Sequence, residues 1–208
     1  MSDIITGMNI PTWESHLASR GAPMFEGTWG ETPWEFYEYG QEVPHTLPIR
    51  TAMCVPVCSL DPGNPQVMLT LNLRRGGYEI PGGHRDPLEH GGVEPPRWAA
   101  VREAQEETGL RLRRLRLLIP FGYTEVRNDA SSDYPPRSYM QFFGVHARKR
   151  PGRITDPEVD GAGIFTLDAL RTMAERGAMK TTELELVCSG IRAVLRQHGL
   201  PDEHIAMP

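Results

Sequence analysis

One stretch constrains the fold more than any other. From Pro95 to Gly109 the sequence PPRWAAVREAQEETG reads as a helix with both ends marked, prolines in the first turn and glycine as the terminal cap. Trp98, Val101, Ala104 and Thr108 recur at three- and four-residue steps and are expected to form its core stripe. At about 100° per residue, Glu103, Glu106 and Glu107 then fall on the far side, toward a cleft or solvent. Glu103 and Glu107 are four apart, so like charges share one face. Glu106 and Glu107 lie in the last turn, where the helix dipole favours a cation. No structural gain offsets this crowding, and local rules broken in this way mark functional sites.

Around that helix the pattern is strand-like. AMCVPVCSL (52–60) and QVMLTLNLR (66–74) flank DPGNP, the composition of a hairpin turn. GGYEIPGGH (76–84) reads as a short strand running into a glycine turn. LRRLRLLIPFGYTEV (112–126) and SYMQFFGVHAR (138–148) read as strands on either side of a polar loop, and GAGIFTL (161–167) as another. Two helices are expected at about 167–176 and 182–198, the second with Leu184, Val187, Ile191, Val194 and Leu195 as its apolar face. Strands interspersed with helices indicate an α/β fold, a mixed α+β sheet flanked by helices.

The 208 residues suffice for one sizeable core, and 39% hydrophobic with 24% charged residues is a globular composition. A net charge of −5 argues against a dedicated nucleic-acid partner. No run approaches the roughly 18 apolar residues of a membrane span, and the N-terminus lacks a basic-then-apolar signal pattern. The expectation is a cytoplasmic protein with no membrane partner. Residues 1–47 differ from the rest, mixing Trp29, Trp34, Phe36, Tyr37 and Tyr39 with glutamates and turn residues. They are expected to be an N-terminal extension packing its aromatics on the main domain, 48–208, or on a partner subunit; a substrate-side wall is the alternative. Cys54, Cys58 and Cys188 make no disulfide framework and complete no zinc spacing, so buried thiols are expected.

A strand, a Gly-Gly turn, a loop and a helix ending in REAQEETGL together resemble the Nudix box of the Nudix hydrolase family. The family pattern is Gly, five residues, Glu, seven residues, then Arg-Glu-apolar-any-Glu-Glu-any-Gly-apolar. Residues 102–110 fit its second half at every position, and IPGG (80–83) matches the usual lead-in. The box covers 83–110 and the wider resemblance 48–170. One departure stands out: Gly83 to Glu89 has the gap of five and Glu94 to Arg102 the gap of seven, so the loop carries five residues too many. Glu94 is placed in the box position, with Glu89 the alternative.

The resemblance implies a Nudix-like α/β/α sandwich and a pyrophosphohydrolase, with water attacking phosphorus in the diphosphate linkage of a nucleoside diphosphate joined to another group. It implies magnesium, or manganese in its place, and a homodimer. Magnesium is a hard cation that takes oxygen ligands, and carboxylates one helix turn apart supply them. Glu106 and Glu107 would be the main ligands, Glu103 a further ligand or the base, and Arg102 would orient a box glutamate. Gly82 and Gly83 would form the tight loop against the helix, and Gly109 its end. Glu158, before the strand at 161, resembles the family's distal acid, and Glu125 is a second base candidate. Glu158→Gln is expected to lower turnover about tenfold or more, with little change in folding.

Weaker candidates are the basic runs 111–116 and 148–153 for phosphates, His84 and His90 beside the loop insertion, and Tyr123, Tyr134, Tyr139 and Phe142 for stacking on a base. Two other functions compete. Isopentenyl diphosphate isomerases share this fold but need a catalytic cysteine, which Cys54 matches poorly. A Nudix-like sensor would bind a nucleotide without cleaving it, yet such proteins commonly lose box carboxylates and this chain keeps them.

Overall fold

A computed structural model describes residues 12–29, 31–112, 115–129, 134–147 and 152–208. Arg113, Arg114 and residues 148–151 of the two basic runs lie outside the described residues. Four helices, α1 (Trp13–Ser19), α2 (Pro96–Thr108), α3 (Leu167–Glu175) and α4 (Thr181–Gln197), accompany nine strands among the described residues. The strands are β1 (Phe25–Trp29), β2 (Thr32–Glu38), β3 (Ile49–Ser59), β4 (Gln66–Asn72), β5 (Gly77–Glu79), β6 (Gly82–His84), β7 (Ile119–Arg127), β8 (Arg137–His146) and β9 (Gly161–Thr166).

They form one mixed sheet in the order β1-β2-β7-β8-β3-β4-β5, with β6 also paired to β3 and β9 to β4. The β3–β8 pair is parallel and the others are antiparallel. The long strand β3 divides its partners. Its first half pairs with β6 from Thr51↔His84 to Met53↔Gly82, and its last residues pair with β4 at Val57↔Val67. That division sets the Gly82–Gly83 turn into the sheet beside α2.

Alternation along β3 and β8 builds an α/β/α sandwich. Ala52, Cys54, Phe143 and Val145 pack under the alanines of α2. Val55, Val57 and Phe142 point the other way, into a core with Leu184, Val187, Ile191 and Val194 of α4. This is period two in the strands meeting a helical stripe on each side. All three cysteines are free and buried.

Two expectations on α2 need correction. Trp98 is 54% exposed, whereas Ala99, Ala100, Val101, Ala104 and Thr108 are buried. The stripe therefore centres on small residues that let the helix lie close to the sheet, and it is turned from Trp98 toward Ala99 and Ala100. That rotation brings Glu103 to the flank of the stripe, where it is buried, rather than to the far side.

The aromatic N-terminal segment continues the sheet. β1 and β2 form a hairpin, and β2 pairs with β7 from Trp34↔Val126 to Glu38↔Gly122. Trp34 and Phe36 enter the α4-side core, while Tyr37 and Tyr39 join Trp13, Tyr123 and Tyr139 in a separate aromatic cluster. Tyr123 and Tyr139 are thus packing residues, buried and unavailable for stacking on a base.

Candidate active site

The C-terminal end of α2 leaves carbonyls without intrahelical donors, and the chain returns to supply them. Thr155 N–H donates to Glu106 O at 2.8 Å, Asp156 N–H to the same oxygen at 3.2 Å, and Gly152 N–H to Thr108 O at 3.2 Å. Gly109 caps the helix in the left-handed region at φ 67°, its N–H donating to Gln105 O. The docked loop delivers Asp156 to the glutamates. One carboxylate oxygen each of Glu103, Glu107 and Asp156 lies within 4.8 Å of the other two.

The Gly-Gly turn makes this approach feasible. Gly82 N–H donates to Glu107 Oε2 at 3.0 Å. A Cβ on Gly83 would overlap the Glu103 carboxylate, so the residue's missing side chain is what admits Glu103. Burial, reinforced by the charges of Glu103 and Asp156, pushes Glu107 up to about 8, against the pull of the Gly82 N–H and Arg75. Glu103 is raised as well, by burial first, with Arg102 opposing.

Arg102 binds the acids around this group. Its Nη1 reaches Glu103 at 2.8 Å and Glu106 at 3.1 Å, its Nη2 reaches Glu94 at 2.9 Å, and its Nε lies 3.3 Å from Asp86. Nη2 also donates to His84 O at 2.9 Å, tying the helix to β6. None of its ion pairs goes to Glu107 or Asp156. Glu106 is held by Arg102 and stands outside the three close carboxylates.

Beside Gly82 and Gly83 opens a cleft of about 640 Å³. Met53, Met140, Phe142 and, from the N-terminal hairpin, Trp29 give it apolar surface; Arg50, Arg75 and Lys180 give it positive charge. The Arg50 guanidinium lies on the Tyr134 ring at the same cleft. A cleft lined by these cations and by Glu79 and Glu183 thus adjoins three carboxylates that could hold a cation.

The family profile described as NUDIX domain matches residues 50–184, well over half of the chain. The chain belongs to the Nudix family. Its enzyme class is that of a Nudix-type hydrolase. Among solved structures it resembles a NUDIX hydrolase from Alicyclobacillus acidocaldarius, with 18% identity and a TM-score of 0.50 over 77% of this chain and 96% of that one. It also resembles the NUDIX domain of Shewanella oneidensis NrtR solved with ADP ribose, with 15% identity and a TM-score of 0.50 over 72% of this chain and 91% of that one. At these identities the likeness concerns the fold. No curated protein matches the chain in sequence at a significant level.

Within the Nudix box the extra loop residues form a closed tip. Leu88 N–H donates to Gly92 O, Gly91 N–H to Leu88 O, and Pro87 pairs with Val93 across the neck. Gly91 and Gly92 take φ of 87° and 88°, values that glycine adopts without strain. Leaving out Leu88–Gly92 would place five residues between Gly83 and Glu94, the family's gap. Glu94 is buried under Arg102, whereas Glu89 and His90 lie at the exposed tip. His84 lines the cleft.

The remaining Nudix candidates fall elsewhere. Glu158 is 60% exposed, with Arg75 at 3.8 Å, and its N–H donates to Asp156 Oδ1. Glu125 is sealed between Arg20 and Arg137 on β7. Sequence reasoning missed Asp156. Residues 156, 158 and 160 are all acidic, and only the loop's hydrogen bonds to α2 distinguish the first.

Proposed function

We propose that this chain is a magnesium-dependent pyrophosphohydrolase, with manganese able to substitute, that cleaves the diphosphate linkage of a nucleoside diphosphate derivative by attack of water on phosphorus. The observation that carries this reading is the meeting of Glu103, Glu107 and Asp156 carboxylates within 4.8 Å. Two of these have no ion-pair partner among the described residues, and Glu107 is raised to about 8 by burial first, with the charges of Glu103 and Asp156 adding to it. A hard, oxygen-seeking cation fits that donor set. When bound there it would polarise the phosphoryl group and lower the pKa of a water.

The chain's own residues do the rest. Gly82 N–H fixes Glu107, Arg102 holds Glu103 and Glu106 in register with Glu94, and the loop at 152–156 fixes Asp156. Glu103, Glu107 and Asp156 are assigned as ligands, with Glu103 also able to take a proton from the attacking water. Arg50 and Arg75 line the cleft as counter-charges to a diphosphate, and Arg75 is near enough to act on Glu107. ADP ribose, found on the NrtR domain, is the first compound to test. The reading extends to a cytoplasmic homodimer in which residues 1–47 are an extension of a Nudix domain at 48–208; light scattering would check the dimer.

The test is hydrolysis of a panel of nucleoside triphosphates, ADP ribose, NADH, nucleotide sugars, coenzyme A and dinucleoside polyphosphates, wild type beside Glu107→Gln. Magnesium-dependent release of a phosphorylated product that disappears in the variant is expected. Nucleotide binding without turnover on any member would overturn the hydrolase reading in favour of a sensor.

A further inference from the structure

Glu183 sits in the first turn of α4 and lines both the cleft and a second cavity of about 450 Å³. Its Oε2 is shielded from solvent and has no hydrogen-bond partner among the described residues. The carboxyl receives one bond, from the Ile80 backbone N–H. A shielded acceptor with no donor is costly, so such atoms are uncommon without a reason. Burial and the neighbouring Glu79 push Glu183 up to about 7, against Ile80 and Lys180. Nothing in the chemistry assigned to Glu103, Glu107 and Asp156 uses it.

The sign of its charge limits what it can face. A carboxyl group repels phosphate, so it suits the part of a substrate that lies away from the diphosphate. Leu186, three residues on and on the same helical face, also lines the cleft and belongs to the core against which Trp29 packs. Trp29 is held by stacking on buried Trp34, with centroids 5.2 Å apart and planes at 28°, and it presents aromatic surface in the same cleft. An aromatic wall together with an acceptor lacking a donor suits a planar ring that carries N–H groups. Adenine, guanine and cytosine carry an exocyclic amine, whereas hypoxanthine and uracil do not.

We propose that Glu183 is a specificity-determining residue, its carboxyl accepting a hydrogen bond from the exocyclic amine of the substrate's nucleobase. The terminal torsion of a glutamate is broad, so the carboxyl group can turn toward an amine in the cavity it lines. This deepens the diphosphate-hydrolysis reading and rests on it for the substrate class. Glu183 would act on binding of the base, remote from the reacting phosphorus.

Calorimetric titration of the full chain in chelator, with AMP and GMP against IMP and with CMP against UMP, tests this without turnover. At least one amine-bearing nucleotide should bind the wild type about tenfold more tightly than its amine-free counterpart, the scale of one hydrogen bond to a charged group. Glu183→Ala should abolish that preference, and Glu183→Gln, which keeps an acceptor oxygen, should retain part of it. Glu183→Gln removes the shielded carboxylate and keeps an acceptor for the Ile80 N–H, so it should melt no lower than the wild type; Glu183→Ala leaves that N–H without its acceptor, and its fold is checked by its melt before the titration is read. A wild type that discriminates in no pair, or binds none of the five, overturns the proposal, as does a preference that survives in Glu183→Ala. The preference without hydrolysis of any panel compound would sink the hydrolase reading and leave Glu183 standing; hydrolysis without the preference would do the reverse.

Discussion

Glu125 and Glu107 are both carboxylates drawn into the protein, yet the chain surrounds them in opposite ways. Glu125 on β7 is 1% exposed and lies 3.0 Å from Arg20 and 3.1 Å from Arg137. Two cations answer one anion. Glu107 has a single backbone N–H and, within 4.8 Å, two further carboxylates. Burying a charge is costly unless it is paired. The first region meets that demand from its own sequence and is architecture. The second leaves negative charge for something outside the chain to neutralise.

The largest expected effect breaks this contrast at both ends. Glu107→Gln should lower turnover by about a thousandfold, since several kcal/mol of charge stabilisation is at stake and each 1.4 kcal/mol is tenfold. Its metal-free form should melt at or above the wild-type temperature, because crowding is relieved. Glu125→Gln should do the opposite: activity kept, and about 2 kcal/mol of stability lost, less than for a fully sealed pair because Arg137 stays in water. Denaturant melts and hydrolysis assays on both variants would show a common behaviour if the contrast is unreal.

Next comes the choice between two neighbouring acids. The place of Asp156 moves the effect first expected of Glu158. Asp156→Asn should weaken magnesium binding by at least about tenfold, and Glu158→Gln should change turnover by less than about threefold. Titration of magnesium into each variant distinguishes them, and equal losses would return Glu158 to the site.

A smaller effect concerns pH. Glu107 is raised to about 8 and Glu183 to about 7 in the folded chain, from ordinary glutamate values. Between those limits the folded state binds more protons than the unfolded one, so stability without metal should fall as pH rises from about 4.5 to 8. Magnesium should flatten the upper part of that slope and Glu183→Gln the lower part. Melting temperatures that rise with pH over this range would contradict both assignments. The smallest effect is expected from excision of Leu88–Gly92, which should alter stability by less than about 0.6 kcal/mol, the cost of doubling a loop. A collapse in stability would mean that the tip supports the box.

Much of the centre was legible because it is local. REAQEETGL fixes the helix, its acids and its end at Gly109, and period-two strands at 52–60 and 66–74 fix the sheet beside it. Trp98 misleads because a large apolar side chain suggests the stripe's anchor, whereas close packing on β3 selects alanines. The strands at 25–38 were missed because Glu and Thr alternate with aromatics buried on both faces, which blurs the period. Asp156 was not legible at all. Its position depends on where backbone N–H groups of a loop dock on the end of a helix some fifty residues earlier, and no spacing in the sequence encodes that.

The closed neck at Pro87 and Val93 has a practical consequence. Because hydrogen bonds of its own complete the tip, its exposed residues can be replaced without pulling on Glu94 or on α2. His90 on that tip is exposed and none of Leu88–Gly92 lines the cleft, so an affinity tag inserted there would immobilise the protein with its cleft free.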